Sequence, residues 1–382
     1  MVSSELNPCE ETCVETGISD NIDYEENVEE MLVQIFIKSP LLIEGEPQVP
    51  CLFFFGDSLF DNGNNNDIAT LARVDFSPYG IDYPGYPTGR FCNGRIIPDF
   101  IAEYLGFEEY TPPYATATDA DYLTGVNYAS GGGGILNYTN LILGQRYDME
   151  KQIELHAHTV SQVERILGSA TQATELLNKC MYVSNIGNND FLNYVLDPIL
   201  YPGRILYTPD QFAEVVVQTY SQQLEKLYSY GARKIAVFGT APLGCIPQVL
   251  HRYPTDGKFC VEWINNDAEL FNTRLISLTD QLNSNLPDAQ FVFINYTAIS
   301  YTDIIDLALT GFRVLNIPCC LTESTGGLCF RDSTPCPDRT KFFFWDNYHP
   351  TEISNMAAAT RMYNASSPHD TYPMDLQQLA MK

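Results

Sequence analysis

The sequence predicts an α/β protein built on a parallel β-sheet. Short apolar runs of strand length alternate along the chain with longer segments that carry apolar residues at helical spacing. Parallel strands need long crossover connections, and helices of this length supply them. The chain has 382 residues, of which 45% are hydrophobic, which is compatible with one large domain around a sizeable core.

Apolar runs along the chain are expected to form about five strands. The first, Val49–Phe55, is continuously apolar, which is typical of a strand that helices cover on both faces. The other candidates are Val126–Ala129, Cys180–Ser184, Lys234–Gly239 and Phe291–Asn295.

The helix with the clearest boundaries is predicted to begin after Thr208. A threonine cap, Pro209 at the first helical position and Gln211 three residues after the cap form a capping box, and Gly231 ends the helix. Further helices are expected over residues 96–105, 152–167, 261–286, 299–310 and 351–363.

The chain is predicted to contain one folded domain, residues 47–366, followed by a C-terminal tail, residues 367–382. Residues 1–47 hold twelve acidic side chains and one lysine. Residues 1–46 are therefore interpreted as a largely disordered acidic leader, or as the product of an alternative or mispredicted first exon. They lack the basic segment and long apolar core of a signal peptide, and no membrane-spanning run of 18 apolar residues occurs.

The strong negative charge excludes two classes of partner. The formal net charge is −27 and the isoelectric point is near 4.3. A nucleic-acid backbone would be repelled, and so would an anionic lipid surface.

The 11 cysteines are expected to form disulfide bonds rather than a metal site. No C-x-x-C pair occurs and the few histidines lie far from the cysteines, which argues against zinc. Cys245 and Cys260 bracket a loop that they could close, and four more cysteines crowd one later loop: Cys319, Cys320, Cys329 and Cys336. Together with the N-x-[ST] sequons at Asn137, Asn295 and Asn364, they favour an oxidising, secretory environment.

Ser58 is the first candidate for chemistry. It follows the first predicted strand in "CLFFFGDSLFDNGNNN". A serine hydroxyl is a weak nucleophile unless an oriented imidazole takes its proton. Taken alone, the serine is better explained by an ordinary surface turn.

His349, in "WDNYHP", is the candidate base. Pro350 disfavours a helical conformation at His349, and Asp346 lies three residues earlier. The Asp346 carboxylate can accept from Nδ1–H, which leaves Nε2 for the serine proton. The alternative is an aspartate that stabilises a turn beside an incidental histidine. His156 and His158 are expected at a solvated helix surface.

Acyl transfer also requires donors for a developing oxyanion. The side-chain amide of Asn189 in "GNND", the backbone N–H groups of glycines 131–134 and the N–H of Ser58 are the candidates. Each of these motifs is also compatible with a plain turn.

Four motifs in order, "FGDSLFDNGNNN", "GVNYASGGGGI", "IGNND" and "FWDNYHPTE", resemble the conserved blocks of the plant-type GDSL esterase/lipase family in the SGNH hydrolase superfamily. The resemblance covers about Pro47 to Lys382. It implies a flavodoxin-like three-layer α/β/α sandwich. The G-x-S-x-G elbow of α/β-hydrolases is absent, since Gly56 has no matching glycine at position 60.

The resemblance also implies a role for each motif residue. Ser58 matches the nucleophile and first oxyanion donor, Gly132 the second donor, with Gly134 left open, and Asn189 the third. His349 matches the base and Asp346 its orienting acid. No metal or organic cofactor is implied.

The function implied is hydrolysis of carboxylic esters, lipid acyl esters above all, through an acyl-enzyme. Alternatives are deacetylation of cell-wall polysaccharide, acyl transfer, and a catalytically silent binding or defence protein. A monomer that acts on a small-molecule or lipid ester is expected. Residues 76–90, with Arg90 and Arg95, are expected to form part of the substrate wall. The family implies secretion, in contrast to the acidic leader.

Overall fold

The computed structural model describes residues 46–196, 203–255, 257–300, 314–323 and 327–382. Nearly all of the predicted leader, and most of the helix expected at 299–310, lie outside these residues. The strands are β1 (Leu52–Gly56), β2 (Met181–Asn185), β3 (Lys234–Phe238), β4 (Gln290–Ile294), β5 (Val314–Pro318), β6 (Phe342–Phe344) and β7 (Thr371–Tyr372).

Five strands form the central sheet in the order β1-β2-β3-β4-β7. β1 to β4 are parallel to one another, and β7 is antiparallel to β4. β5 and β6 form a separate parallel pair. The predicted α/β architecture with a parallel sheet of about five strands is confirmed.

The fifth strand comes from a segment that the sequence pattern does not indicate. The run Val126–Ala129 forms only a short bridge, in which Asn127 lies beside Phe54 on the outer edge of β1. β7 completes the sheet instead. Residues 367–382, set apart by sequence as a tail, thus pack on the domain, with Leu376 and Leu379 fully buried.

The helices of the described residues lie between and after the strands. They are α1 (Ile97–Tyr104), α2 (Asp121–Thr124), α3 (Met149–Leu167), α4 (Ala170–Leu177), α5 (Asn188–Leu196), α6 (Gly203–Leu206), α7 (Pro209–Ser229), α8 (Pro247–Arg252), α9 (Glu262–Asn285), α10 (Glu352–Tyr363) and α11 (Leu376–Ala380).

Helix α7 begins as the capping box predicts. The Thr208 hydroxyl accepts from the Gln211 N–H, and the Gln211 side chain accepts from the Thr208 N–H. Both bonds satisfy N–H groups at the helix start that have no partner within the helix. The helix ends at Ser229, two residues before Gly231.

Successive residues of the strands pack against helices on opposite faces of the sheet. Phe53 and Phe55 of β1 point into one core with α3, α7 and α9. Leu52 and Phe54 point into the other core with α1, α10 and α11. The sheet is therefore the middle of three layers, and its apolar strands are buried on both sides.

Four disulfides link described residues: Cys51–Cys180, Cys245–Cys260, Cys319–Cys336 and Cys320–Cys329. The pair Cys245–Cys260 and the pairing within the later cluster follow the sequence prediction. Cys51–Cys180 was not anticipated; it joins the residues directly before β1 and β2, which are in register. Cys92 is free and buried.

None of the helices in the described residues is long and apolar enough to cross a membrane. The described residues also contain no group of three or more His, Cys, Asp or Glu side chains that could hold a metal ion.

Candidate active site

The carboxyl ends of β1 and β2 lie side by side, with Gly56 paired to Asn185. Ser58 follows the first strand by two residues and α5 follows the second strand almost directly. Ligands of open α/β sheets bind at this edge. A Cβ at position 56 would lie 2.7 Å from the carbonyl oxygen of Asn185, so only glycine allows the two chains to approach this closely.

A buried aspartate fixes the turn that carries Ser58. The Asp57 carboxylate accepts from the N–H of Leu59 at 3.0 Å and from Nδ2 of Asn188 at 3.1 Å. The Asp57 carbonyl accepts from the N–H of Phe60. These bonds hold the residues on either side of Ser58, and its side chain stays partly accessible.

The structure brings Ser58, His349 and Asp346 together in one hydrogen-bonded chain. Nε2 of His349 lies 2.8 Å from Oγ of Ser58. Nδ1 of His349 lies 2.9 and 2.8 Å from the two carboxylate oxygens of Asp346. Asp346 is fully buried and His349 is 5% exposed, so this chain of bonds is shielded from competing water.

Backbone bonds hold Asp346 and His349 in a tight turn after β6. One oxygen of Asp346 accepts from the N–H groups of Tyr348 and His349, each at 2.8 Å. The N–H of Trp345 donates to the carbonyl of His349 at 2.7 Å. The ring of Phe91 packs 4.9 Å from the imidazole. The turn thus carries the aspartate–histidine pair as one unit.

The first turn of α5 binds the glycine run. Nδ2 of Asn189 donates to the carbonyl of Gly133 at 2.9 Å. Asp190 accepts from the N–H groups of Ile135 and Leu136, at 2.9 and 3.0 Å, and from the Thr139 hydroxyl at 2.6 Å. Gly187, at φ +118°, precedes the helix and permits the sharp entry.

Hydrogen bonding divides the four glycines into two pairs. The N–H of Gly131 donates to Asp61, and that of Gly133 donates to the carbonyl of Ser130. Among the described residues, the N–H groups of Gly132 and Gly134 have no acceptor within the protein, and neither has that of Ser58. Gly132 and Gly134, the two glycines that the sequence analysis left open, are therefore those with a donor available to a ligand.

The asparagines after Ser58 tie loops together where no regular ladder exists. Asn64 donates to the carbonyls of Asn127 and Ala129. Asn65 donates to the carbonyls of Ala72 and Gly131. These buried amides satisfy carbonyls that strand pairing would otherwise satisfy, and they attach the serine loop to the glycine run.

Burial raises the pKa of three aspartates in this network. Asp57, Asp61 and Asp190 are each raised to about 6 from an ordinary 3.8. The N–H and O–H groups that donate to them act in the opposite direction, but loss of hydration outweighs them. Sequence reasoning missed these acids, although "GDS", "FDNG" and "GNND" each place one beside a candidate residue.

Arg90 and Arg95, expected beside a substrate wall at residues 76–90, both form ion pairs within the domain. Arg90 is buried and makes a bidentate ion pair with Asp99, at 2.8 and 2.7 Å, because a buried arginine needs a carboxylate partner. Arg95 is partly exposed and pairs with Glu103 and Glu352. The substrate wall itself stays a prediction.

The prediction that His156 lies at a solvated helix surface is wrong. Its side chain is fully buried in α3 among Phe53, Phe55 and Tyr182. Burial lowers the pKa of His156 to about 3, so the ring is neutral at physiological pH. His158 is exposed, as expected.

The variant Asp190→Asn tests the effect of burial on the pKa of the Asp190 carboxyl. Between about pH 4 and pH 6, folded wild-type protein holds a proton that the unfolded chain has released. The free energy of unfolding of the wild type therefore falls as the pH rises through this window. The variant lacks this group, so its stability deficit should shrink by about 2 kcal/mol between pH 4 and pH 7, measured by urea denaturation.

Asp119→Asn, which removes the acid of an exposed ion pair with Arg165, is the matched control for a changed net charge. A deficit of Asp190→Asn that stays constant or grows towards pH 7 would show that the three donors keep the carboxylate ionised.

Comparison with known proteins identifies the family of this chain. The sequence profile of the family described as GDSL-like lipase/acylhydrolase matches residues 52–362. Three GDSL esterase/lipases of Arabidopsis thaliana are 46%, 44% and 42% identical to this chain. The alignments cover 88%, 88% and 92% of this chain and 93%, 93% and 97% of the relatives. The chain therefore belongs to the GDSL esterase/lipase family.

Proposed function

We propose that this carboxylic ester hydrolase works through a covalent acyl-enzyme on Ser58, with His349 as general base and Asp346 as the acid that orients it. The observation that carries the proposal is the continuous chain of bonds from Oγ of Ser58 through His349 to Asp346. Nδ1–H donates to the carboxylate, which leaves the lone pair of Nε2 directed at the serine hydroxyl.

In the first half of the reaction, Oγ of Ser58 attacks the ester carbonyl carbon while Nε2 of His349 takes the hydroxyl proton. The carbonyl oxygen becomes an oxyanion. The imidazolium then gives its proton to the departing alkoxide, which leaves as the alcohol. Asp346 stabilises the imidazolium without taking the proton. In the second half, water attacks the acyl carbon while Nε2 of His349 takes one of its protons. The bond from the acyl carbon to Oγ of Ser58 then breaks, the imidazolium returns the proton to Oγ, and the carboxylic acid is released.

Three donors are assigned to the oxyanion: the N–H of Ser58, the N–H of Gly132 and Nδ2 of Asn189. Both N–H groups have no acceptor among the described residues. Nδ2 of Asn189 carries two protons and donates one of them to Gly133, so the second is available. Because α5 and the glycine run are hydrogen-bonded to each other, these donors are held before substrate binds, as efficient electrostatic stabilisation requires.

Lipid acyl esters are the proposed substrates. An apolar rim of Leu71, Leu141 and Ile142 is 71%, 58% and 57% exposed. Its two loops are bound to each other through the N–H of Leu71, which donates to the carbonyl of Leu143 at 2.7 Å. A Cβ added at Gly132 would lie 3.1 Å from Leu143, so the rim adjoins the proposed oxyanion donor. Exposed aliphatic side chains close to a proposed oxyanion donor suit an acyl chain.

An oxidising compartment is the proposed location. Four disulfides cross-link the described residues, and such bonds persist in secreted proteins. Of the three sequon asparagines, Asn137 and Asn364 are exposed. Asn295 is half-buried, and its side chain accepts from the N–H of Ala298, so the first two are the positions that suit a glycan.

Ser58→Ala and His349→Ala should each lower kcat for a p-nitrophenyl ester by about 10⁴-fold or more, and the double variant should be little worse. Both residues act in one proton-transfer step, so removing the second after the first loses little. His158→Ala removes an exposed histidine and is the control, with unchanged kcat. Near-normal turnover in either single variant would exclude the assignment of Ser58 and His349 to the reaction.

Asn189→Ala should lower kcat by about 10²- to 10³-fold, the scale of one lost oxyanion donor. KM should hardly change, because the contact strengthens only in the transition state. Asn193→Ala is the matched control: it lies one turn later in α5 and loses bonds to Asn140 instead. An effect on KM alone would make Asn189 a substrate-binding residue rather than an oxyanion donor.

The double variant Leu71→Ser, Ile142→Ser should lower kcat/KM about tenfold for a decanoyl p-nitrophenyl ester, by removing apolar contacts worth about 1.5 kcal/mol. Activity on the acetyl ester should not change, since an acetyl group does not reach the rim. Leu206→Ser, an exposed leucine on α6, is the control. Preference for acetylated xylan, with no effect of the rim variant, would favour the polysaccharide deacetylase instead.

A further inference from the structure

We infer that Tyr79 is a positioning residue of the triad: its hydroxyl holds the Asp346 carboxylate in the orientation that His349 needs, and the disulfide-bonded loop around Cys329 holds Tyr79. The inference rests on the triad proposed above. It assigns a task to a side chain in a segment that the sequence analysis treated as substrate wall.

Apart from the imidazole, which contacts both, the two oxygens of Asp346 have different partners. Oδ1 accepts from the N–H groups of Tyr348 and His349. Oδ2 accepts from the Tyr79 hydroxyl at 2.7 Å and contacts Nδ1 of His349 at 2.8 Å. Within the described residues, Tyr79 is therefore the only partner of Oδ2 apart from the imidazole itself. Without the phenol, that oxygen would lose the donor that fixes the carboxylate plane.

The direction of the bond follows from the second partner of the phenol. The backbone N–H of Cys329 donates to the Tyr79 oxygen at 3.0 Å. The single hydroxyl proton is thus left for Asp346. Burial and the nearby carboxylate also raise the pKa of Tyr79 well above 10, so the phenol stays a donor over the whole working range of an esterase.

Aromatic packing fixes the Tyr79 ring itself. Tyr79 is fully buried. Its ring meets the ring edges of Phe76, Phe91 and Trp345 at centroid distances of 5.4, 6.4 and 6.3 Å. Phe91 also packs on the imidazole, and Trp345 directly precedes Asp346. The ring is therefore held by the same side chains that surround the aspartate–histidine pair.

The loop that contacts Tyr79 is fastened on both sides of Asp346. Cys329 is bonded to Cys320, whose N–H donates to the carbonyl of Trp345 at 3.0 Å. On the other side, the N–H of Asn347 donates to the carbonyl of Gly327 at 3.0 Å. The disulfide loop, Tyr79 and the triad acid thus form one cross-linked unit.

Tyr79→Phe tests the inference, because it removes one oxygen and keeps the ring. We expect kcat to fall about 10- to 100-fold, the scale of a hydrogen bond to a charged group, with KM unchanged. A carboxylate that lacks the phenol donor attracts the imidazolium more strongly. The acid limb of the pH profile of kcat/KM should therefore move to higher pH, by about half a unit.

Two controls separate positioning from stability. Tyr182→Phe also removes a buried hydroxyl, which donates to the carbonyl of Leu177, and should lower the melting temperature without moving the acid limb. In an Asp346→Ala background, Tyr79→Phe should have no further effect on the residual kcat, because its action passes through the carboxylate.

A second substitution covers the case in which the phenylalanine variant does not fold. 3-Fluorotyrosine incorporated at position 79 keeps both hydrogen bonds and is a stronger donor. The acid limb should then move to lower pH, opposite to the shift expected for phenylalanine. The opposite signs are a readout that a purely structural role would not produce.

The outcomes are distinguishable. If Ser58→Ala abolishes turnover while both changes at Tyr79 leave kcat within about twofold and the acid limb unmoved, the inference is overturned and the triad stands. If Ser58→Ala keeps its turnover, the triad fails, and the role of Tyr79 fails with it.

Discussion

The hydrogen bond between Nε2 of His349 and Oγ of Ser58 joins residues that are 291 positions apart in the chain. Neither side chain can make this bond by local folding. It requires that β1 deliver Ser58 to the sheet edge and that the turn after β6 place His349 above it. Buried contacts of Asp57 support the first placement and those of Asp346 support the second, so this single 2.8 Å contact depends on both parts of the structure.

The buried network of aspartates costs folding free energy, but the site requires it. Asp57, Asp61 and Asp190 are carboxyls in surroundings that disfavour their charge. Apolar residues at these positions would be better suited to a core, but they could not fix loops that have no ladder of their own. A glycine run can offer free N–H groups only when its other backbone groups are held, and side-chain carboxylates and amides hold them. If the oxyanion donors are those proposed, local stability is thus exchanged for a preorganised set of donors.

Local sequence patterns were sufficient to predict part of this structure. The four parallel strands are largely apolar runs, and a capping box marks the start of α7, so both could be predicted. Ser58, Asp346 and His349 could be singled out by residue type and short spacing. His156 lies three residues after Ile153 and four residues before Val160, and this helical spacing could have indicated that it is buried. Strand β7, the Cys51–Cys180 bond and the bond from Tyr79 to Asp346 each join segments far apart in sequence, and no local pattern specifies such pairs.

The site consists of two separately supported halves that meet at Ser58. One half is α5 with the glycine run, bound together through Asn189 and Asp190. The other is the turn that carries Asp346 and His349, supported by Tyr79 and the disulfide loop. In the proposed mechanism, the first half stabilises charge on the substrate oxygen and the second moves the proton. Because each half has its own supports, disturbing one should weaken its own task while the other half keeps its geometry, and only the turn around Asp57 and Ser58 is common to both.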